Sequence, residues 1–307
     1  MPPTDGAACV LEWARPVSYV PIDLRGALLA LLVSLFWGAN PVAIKLGLED
    51  TPPFRLAAYR FLVGGLAILM WAWMTRRLAG ARIERREWRP LLVLGVLFTA
   101  QIGSMNVATA MTSAAHSAIL LNLYAVHTVV LAHFMIPGDR LTVGRLGGVC
   151  IAYAGIVPLL VRQGGAGAPT LAGDALMFAS ALVLAERTVY MAQAVQRFDA
   201  VKLLLSQATI GVALFLLLSL AFEPSPTRWT ANLVGIVAFQ GLVVAGFNFV
   251  VNLWLLKRYR PSTLAAFFLT QPIFGVVTAA LVAGDPLTLE LLLASAAVAV
   301  GIGLASR

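Results

Sequence analysis

Side chains that could bind or protonate a small molecule are scarce in this sequence, and those of interest lie inside apolar runs. Arg60, in "AAYRFLVGGL", sits about two turns into one such run. An arginine at the centre of a bilayer costs at least about 2.5–3.5 kcal/mol on insertion scales, relieved in part by snorkelling. Its guanidinium could hold a substrate carboxylate, pair with a carboxylate of the chain, or anchor at the interface. Glu186 and Arg187 are adjacent in another run. Helical neighbours point about 100° apart, so at least one should look into the protein, and Glu186 is the candidate proton carrier. His127 is the deepest of three histidines in a single run and can titrate near neutral pH. It is the second proton-coupling candidate, with a packing histidine as the alternative. His116 and His133, near the ends of that run, are expected at the interface. Lys45 and Asp174, near outer ends, are expected to snorkel.

Amides form a second group. In "FWGANPVAIKLGL", Pro41 lacks an amide hydrogen and crowds the Trp37 carbonyl. Gly38 leaves room beside that carbonyl, and Asn40 adds an amide that hydrocarbon penalises if unpaired. Broken backbone at membrane depth is tolerated only under protein or beside a wet cavity, so this face should look inward. "FFLTQPIFG" repeats the theme with Gln271 and Pro272. Gln101, Asn106, Asn122, Gln240, Asn248 and Asn252 are further amides at depth, able to bind a zwitterion or to bridge helices. With nearby aromatics, the substrate-binding candidates are Trp37, Asn40, Tyr59, Arg60, Gln101, Asn122, Tyr124, Gln240, Asn248, Phe267 and Gln271. For each amide a packing role is the competing account.

Nothing in the sequence suggests an enzyme. There is no HExxH, no Asp-rich pyrophosphate motif, no cysteine beside a base, and only 14 acidic residues. No spacing suits a metal and no motif suggests a cofactor; Cys9 and Cys150 do not read as a disulfide. No Walker motif indicates an ATP-driven pump.

The elements that must position these residues follow from composition. The chain has 307 residues, 60% hydrophobic and 12% charged, against about 25% charged in soluble domains. It reads as an all-α integral membrane protein with the lipid bilayer as solvent. Its net charge of +8 comes from arginines and lysines gathered in short loops, which speaks for membrane anchoring and against a nucleic-acid partner. Ten segments approach the 20 apolar residues that a spanning helix needs: 25–47, 54–75, 88–110, 114–136, 142–162, 170–194, 199–221, 230–256, 261–283 and 287–305. Residues 1–23 read as a cytoplasmic tail without a cleaved signal. The loop "TRRLAGARIERREWR" carries six arginines and should be cytoplasmic, which puts both termini inside. Arg140, Arg145, Arg197, Lys202 and the "KRYR" loop fall on the same side; only Arg55, Arg162 and Arg228 fall opposite. Trp13, Trp88 and Trp229 fit the interfacial belt.

The chain also divides into halves, 24–162 and 170–305. A shift of 146 residues aligns "GDRLT" with "GDPLT" and Asn106 with Asn252. Five spans per half is an odd number, so the copies should be inverted relative to each other, a design associated with alternating-access carriers. Stripes of small residues, Gly144, Gly148 and Ala152 in the fifth span and Ala297, Gly301 and Ala305 in the tenth, read as packing surfaces, within the chain or against another subunit.

The order of "FWGANPVAIKLGL", "PPFRLAAYRFLVGGL" and "GDRLT…GGVCIAYAGI" resembles the drug/metabolite transporter superfamily, and within it the EamA-type exporters. The resemblance covers about residues 24–305. It implies two inverted five-helix repeats in a bacterial-type inner or plasma membrane and export of small metabolites, above all amino acids. One branch, the YddG-like proteins, exports aromatic amino acids. Where the family commonly has Trp-Gly or Trp-Ala in the second copy, this chain has Leu184-Ala185. The reading is a carrier working as a monomer, with a dimer as alternative, that binds a small-molecule substrate in a central cavity. Export of drugs or nucleoside-like metabolites, a channel, and a membrane-embedded enzyme are the alternatives.

Overall fold

The structure is a computed structural model and describes residues 20–135, 141–161, 170–259 and 261–305. Most of the N-terminal tail, with Cys9 and Trp13, lies outside the described residues, as do Arg140, Arg162 and Arg260. The elements described are helices: α1 Leu24–Gly47, α2 Pro53–Met74, α3 Trp88–Met111, α4 Ala114–Asn122, α5 Tyr124–Met135, α6 Val143–Val161 and α7 Leu171–Arg197. They continue as α8 Ala200–Phe222, α9 Ala231–Ala238, a π-helical stretch Phe239–Phe247, α10 Asn248–Arg258, α11 Pro261–Phe268, α12 Gln271–Thr278, a second π-helical stretch Ala279–Ala283, and α13 Leu289–Ala305.

Seven helical stretches among the described residues are long and apolar enough to cross a membrane. Three shorter apolar helices, Val143–Leu159, Gln271–Ala283 and Leu289–Ala305, stand where the fifth, ninth and tenth spans were expected. Length and composition therefore establish a multi-pass membrane protein, and the count of ten is not reached on length alone.

Polar caps fix where the helices begin. Asp23 accepts from the Gly26 amide at 2.7 Å, Thr170 from Gly173 at 3.0 Å and Asp199 from Val201 at 2.8 Å. These are N-caps that satisfy amides left free in the first turn. α2 opens instead with Pro53, and its free amides at Phe54 and Arg55 donate to the Glu223 carboxylate at 2.6 and 3.0 Å. A negative charge at a helix N-terminus is favourable; here it also ties α2 to the end of α8. The Arg55 guanidinium returns from α2 to the carbonyls of Glu223 and Ser225.

The dominant pairings each join a helix of the first half to one of the second: α6 with α13, α3 with α7, α2 with α8 and with the first π-helical stretch, and α1 with α12. The small-residue stripes meet within the chain. A methyl on Gly148 would come within 2.5 Å of the Gly301 carbonyl oxygen, and one on Gly301 within 2.7 Å of Ala152. Gly144 meets nothing, and Gly155 against Ala297 completes the seam.

Candidate functional site

The two proline-bearing segments are brought against each other. Gly38 of "WGANP" faces the Gln271 carbonyl, which a methyl at position 38 would approach to 2.6 Å. From the other side, a methyl on Gly275 would lie 3.1 Å from the Gly38 carbonyl oxygen. Glycine is needed at this crossing because the two backbones are already in contact. α1 continues through Pro41, whereas the ninth span breaks: α11 ends at Phe268 and α12 begins at Gln271, with Pro272 in its first turn. The break exposes the Phe267 carbonyl, which accepts from the Ser34 hydroxyl of α1 at 3.1 Å and from the Thr270 hydroxyl at 2.7 Å. Trp37 packs edge-on against Phe268 and Phe249, at 5.9 and 6.1 Å between ring centroids.

At a similar depth, two arginines from opposite halves reach one aromatic pair. The Arg60 guanidinium carbon lies 4.7 Å from the Phe61 ring, and that of Arg187 lies 5.2 Å from the Phe98 ring. The two rings are 4.6 Å apart, edge to face. Arg60 is 2% exposed, and its Nε and Nη1 have no hydrogen-bond partner; neither has Nη1 of Arg187. The two side chains are near enough for their charges to oppose each other, and Arg187 also neighbours Tyr124, which lies beside the Gln271 side chain. Nε2 of Gln271 and Oδ1 of Asn40 are buried without a partner. Thus Asn40, Arg60, Tyr124 and Gln271 belong to the interior as expected, together with Arg187.

The remaining candidates divide. Gln240 is fully buried with both amide atoms unpaired, and one residue on, Gly241 packs against Val63 and the Arg60 carbonyl. The π-helical stretch thus runs beside Arg60, and π-bulges recur at functional sites. Gln101 is buried, with Oε1 unpaired. Asn122 donates to the Ala118 carbonyl at 2.7 Å, beside an unforeseen break at Leu123 between α4 and α5. Asn248 bridges to the Val33 carbonyl of α1 at 3.1 Å, and Asn106 to the Pro53 carbonyl at 2.8 Å, both helix-joining roles. Phe267 takes part through its carbonyl. Tyr59 does not join this centre: its ring stacks on Trp229 at 4.9 Å and its hydroxyl faces Thr227.

Four expectations are corrected. Glu186 is exposed, whereas its neighbour Arg187 shares the face of α7 that meets α3: it lies about two turns on from Ser180, which donates to the Gln101 carbonyl at 2.9 Å, and reaches Phe98. His116 and Asp174 do not reach out at the helix ends but are buried: Asp174 is 1% exposed, 3.0 Å from Nδ1 of His116, and accepts from the Thr112 hydroxyl at 2.5 Å. Lys45 does not snorkel, since its ammonium donates to the carbonyls of Thr109 and Thr112 at 3.2 and 2.7 Å. Nor do Asn40, Arg60 and Gln271 border an open chamber among the described residues. Asn40, Arg60 and Gln271 are 7%, 2% and 4% exposed, and the void between Phe61, Phe98, Gln207, Ala245 and Phe249 measures about 10 Å³. That is at most the room for one water; the Phe61, Phe98, Phe215 and Phe249 rings fill the remainder. His127 is buried against Tyr153 and Phe178, and neither ring nitrogen has a hydrogen-bond partner.

The model of the EamA-like transporter family matches this chain twice, over residues 24–161 and 171–307. The chain belongs to the EamA-like transporter family. The model thus matches once in each half of the chain. Among the relatives of this EamA protein, an "Uncharacterized transporter YoaV" of Bacillus subtilis is 20% identical over 88% of this chain and 92% of its own. A "Probable amino-acid metabolite efflux pump" of Salmonella typhimurium is 26% identical over 86% and 89%, and its Escherichia coli namesake is equally similar. A solved crystal structure shares the fold, with a TM-score of 0.70, 22% identity, and coverage of 92% of this chain and 96% of that one.

In this EamA protein, polar ties flank the buried centre at both ends. Lys45, Thr112, His116 and Asp174 join α1, α3, α4 and α7 at one end, where Asp285 also caps α4 through the Ala115 amide at 2.8 Å. At the other end Tyr259 donates to Asp23 at 2.7 Å and Lys202 to Glu87 at 2.6 Å. The Tyr259 bond holds the Asp23 carboxyl below its ordinary 3.8, aided by the Gly26 amide. Burial and the same bond push the Tyr259 hydroxyl above its ordinary 10.0.

Proposed function

We propose that this protein is a secondary transporter that exports small metabolites, amino acids foremost, by alternating access through a centre around Arg60, Arg187, Tyr124, Gln271 and Asn40. One observation carries the reading: polar side chains from both halves are buried between the helices with hydrogen-bonding atoms left unpaired. Such atoms in a low-dielectric interior are unfavourable unless another molecule completes them at some stage of the working cycle. The present conformation is occluded, with polar ties closing both ends.

Inverted repeats are supported by the pairings. α1 with α12 has its counterpart in α7 with α4 and α5, and α2 with the first π-helical stretch in α8 with α3. Each pairing maps onto the other when the halves are exchanged. The basic loops favour cytoplasmic termini in a bacterial-type inner or plasma membrane. The small-residue seam is used within the chain, which favours a monomer. The "amino-acid metabolite efflux pump" names of two relatives support amino-acid-derived substrates.

The test is transport in proteoliposomes with a panel of labelled amino acids and other metabolites, with and without a pH gradient. Saturable, substrate-selective flux that falls in Asn40→Ala, Arg60→Met and Gln271→Ala is expected. Wild-type rates in all three variants, with normal insertion, would remove the site; unsaturating conductance would point to a channel instead.

A further inference from the structure

We infer that the substrate is a small organic dianion, a dicarboxylate or a phosphate ester, whose acid groups are held by Arg60 and Arg187 across the interface of the two halves; this rests on the carrier reading above. Both guanidiniums lie against one pair of touching rings, Arg60 on Phe61 and Arg187 on Phe98. Cation–π contact steadies a guanidinium but does not neutralise it. The ion pairs found among the described residues, His116 with Asp174, Lys202 with Glu87 and Arg228 with Asp50, include neither arginine. Asp174, the buried carboxylate of α7, is already engaged by Thr112 and His116. Arg60 is 2% exposed with Nε and Nη1 unpaired, and Nη1 of Arg187 is unpaired as well.

Two like charges close together, Arg60 buried and Arg187 half-buried, with no counter-ion among the described residues, are unfavourable until negative charge arrives. The planar fork of a guanidinium matches the oxygens of a carboxylate or a phosphate. A zwitterionic amino acid adds no net charge and would set its ammonium beside two cations, so among the amino-acid-derived metabolites proposed above the centre selects those that carry two acid groups. A monoanion would leave one arginine uncompensated. A dianion neutralises the pair and can bridge the halves, so that binding itself would draw them together. The unpaired Nε2 of Gln271 adds a neutral donor for a further oxygen.

The experiment measures thermal unfolding of the purified full-length protein with millimolar succinate, glycerol phosphate or phenylalanine, followed by proteoliposome counterflow of the same compounds. A saturable rise in unfolding midpoint with succinate or glycerol phosphate, and none with phenylalanine, is expected; which dianion acts decides between carboxylate and phosphate. Arg60→Met or Arg187→Met should weaken binding about tenfold or more, as loss of a charge-assisted hydrogen bond would. Without ligand, the double variant should melt above wild type, because the mutual repulsion is gone; a merely misfolded variant would melt below it. Stabilisation by phenylalanine equal to that by the dianions, dianion binding that survives both substitutions, or no response to either dianion overturns the inference. If phenylalanine alone is bound and carried, the dianion is wrong and the carrier stands. If no compound of a broad metabolite panel crosses, the carrier reading itself fails.

Discussion

Replacing Gly38 by alanine probes the contact on which the whole centre depends. The added methyl would stand 2.6 Å from the Gln271 carbonyl oxygen, 2.9 Å from Cβ of Phe274 and 3.2 Å from the Gly275 amide nitrogen. Carbon atoms pack best at about 3.5–4.0 Å, so α1 and α12 would have to part by roughly 1 Å. None of these three neighbours is the free end of a flexible side chain that could swing away. Overpacking of this kind costs about 1–3 kcal/mol. At about 2–4 °C per kcal/mol for a chain of this size class, the unfolding midpoint in detergent should fall by roughly 2–12 °C. Gly144→Ala is the matched control: a methyl there meets nothing within 4 Å, and no loss is expected. Transport should fall with stability, since the shift moves Gln271 away from Tyr124. A Gly38→Ala protein that melts with the control and carries substrate at the wild-type rate would refute the claim that this backbone crossing organises the site.

Three further outcomes follow from named contacts. Asp174→Ala strands His116 and the Thr112 hydroxyl at one flanking tie and should cost about 1.5–3 kcal/mol, the range for hydrogen bonds to a charged group; an unchanged midpoint would show that the tie is idle. Glu186→Gln should leave transport and its pH dependence unaltered, because the side chain is exposed on α7; loss of proton coupling in flux assays would return Glu186 to the mechanism. Tyr259→Phe tests linkage at the opposite tie. Asp23, with its folded value lowered, stabilises the protein above its ordinary 3.8 and loses that contribution as pH falls through the folded value. Tyr259, with its folded value raised, contributes below its ordinary 10.0 and loses that contribution as pH climbs above it. Wild type should therefore shed stability both in acid and above pH 10.0, and the variant less so at both extremes. Superimposable midpoint-versus-pH curves would disprove the coupling.

Several parts of the site were legible in the residues themselves. The inward-facing requirement on Asn40 and Gln271 followed from the missing amide hydrogens of Pro41 and Pro272. For Arg60 the sequence left binding, an ion pair and an interfacial anchor open, and only the structure showed it buried. The small-residue stripes announced close helix contact, although not that each is the partner of the other. The break at Leu123 carried no proline or glycine to announce it, and Tyr59 had the right composition for a pocket while its position turned it towards Trp229. The choice of Glu186 over Arg187 went wrong because adjacent helical residues differ by about 100° in direction, and the packed face of α7 is set by partners far away in sequence.

What the sequence by itself determined is membrane residence, the placement of apolar segments along the chain, and its division into two related halves, which the twofold family match reproduces. These are properties of local hydropathy and of repetition, which can be summed along a chain. Only the tertiary structure decided that Gly38 meets Gln271, that Gly148 meets Gly301, and that two arginines from different halves share one pair of rings, neither in an ion pair among the described residues. Those facts depend on which helix faces are pressed together, a choice made by packing between segments more than a hundred residues apart.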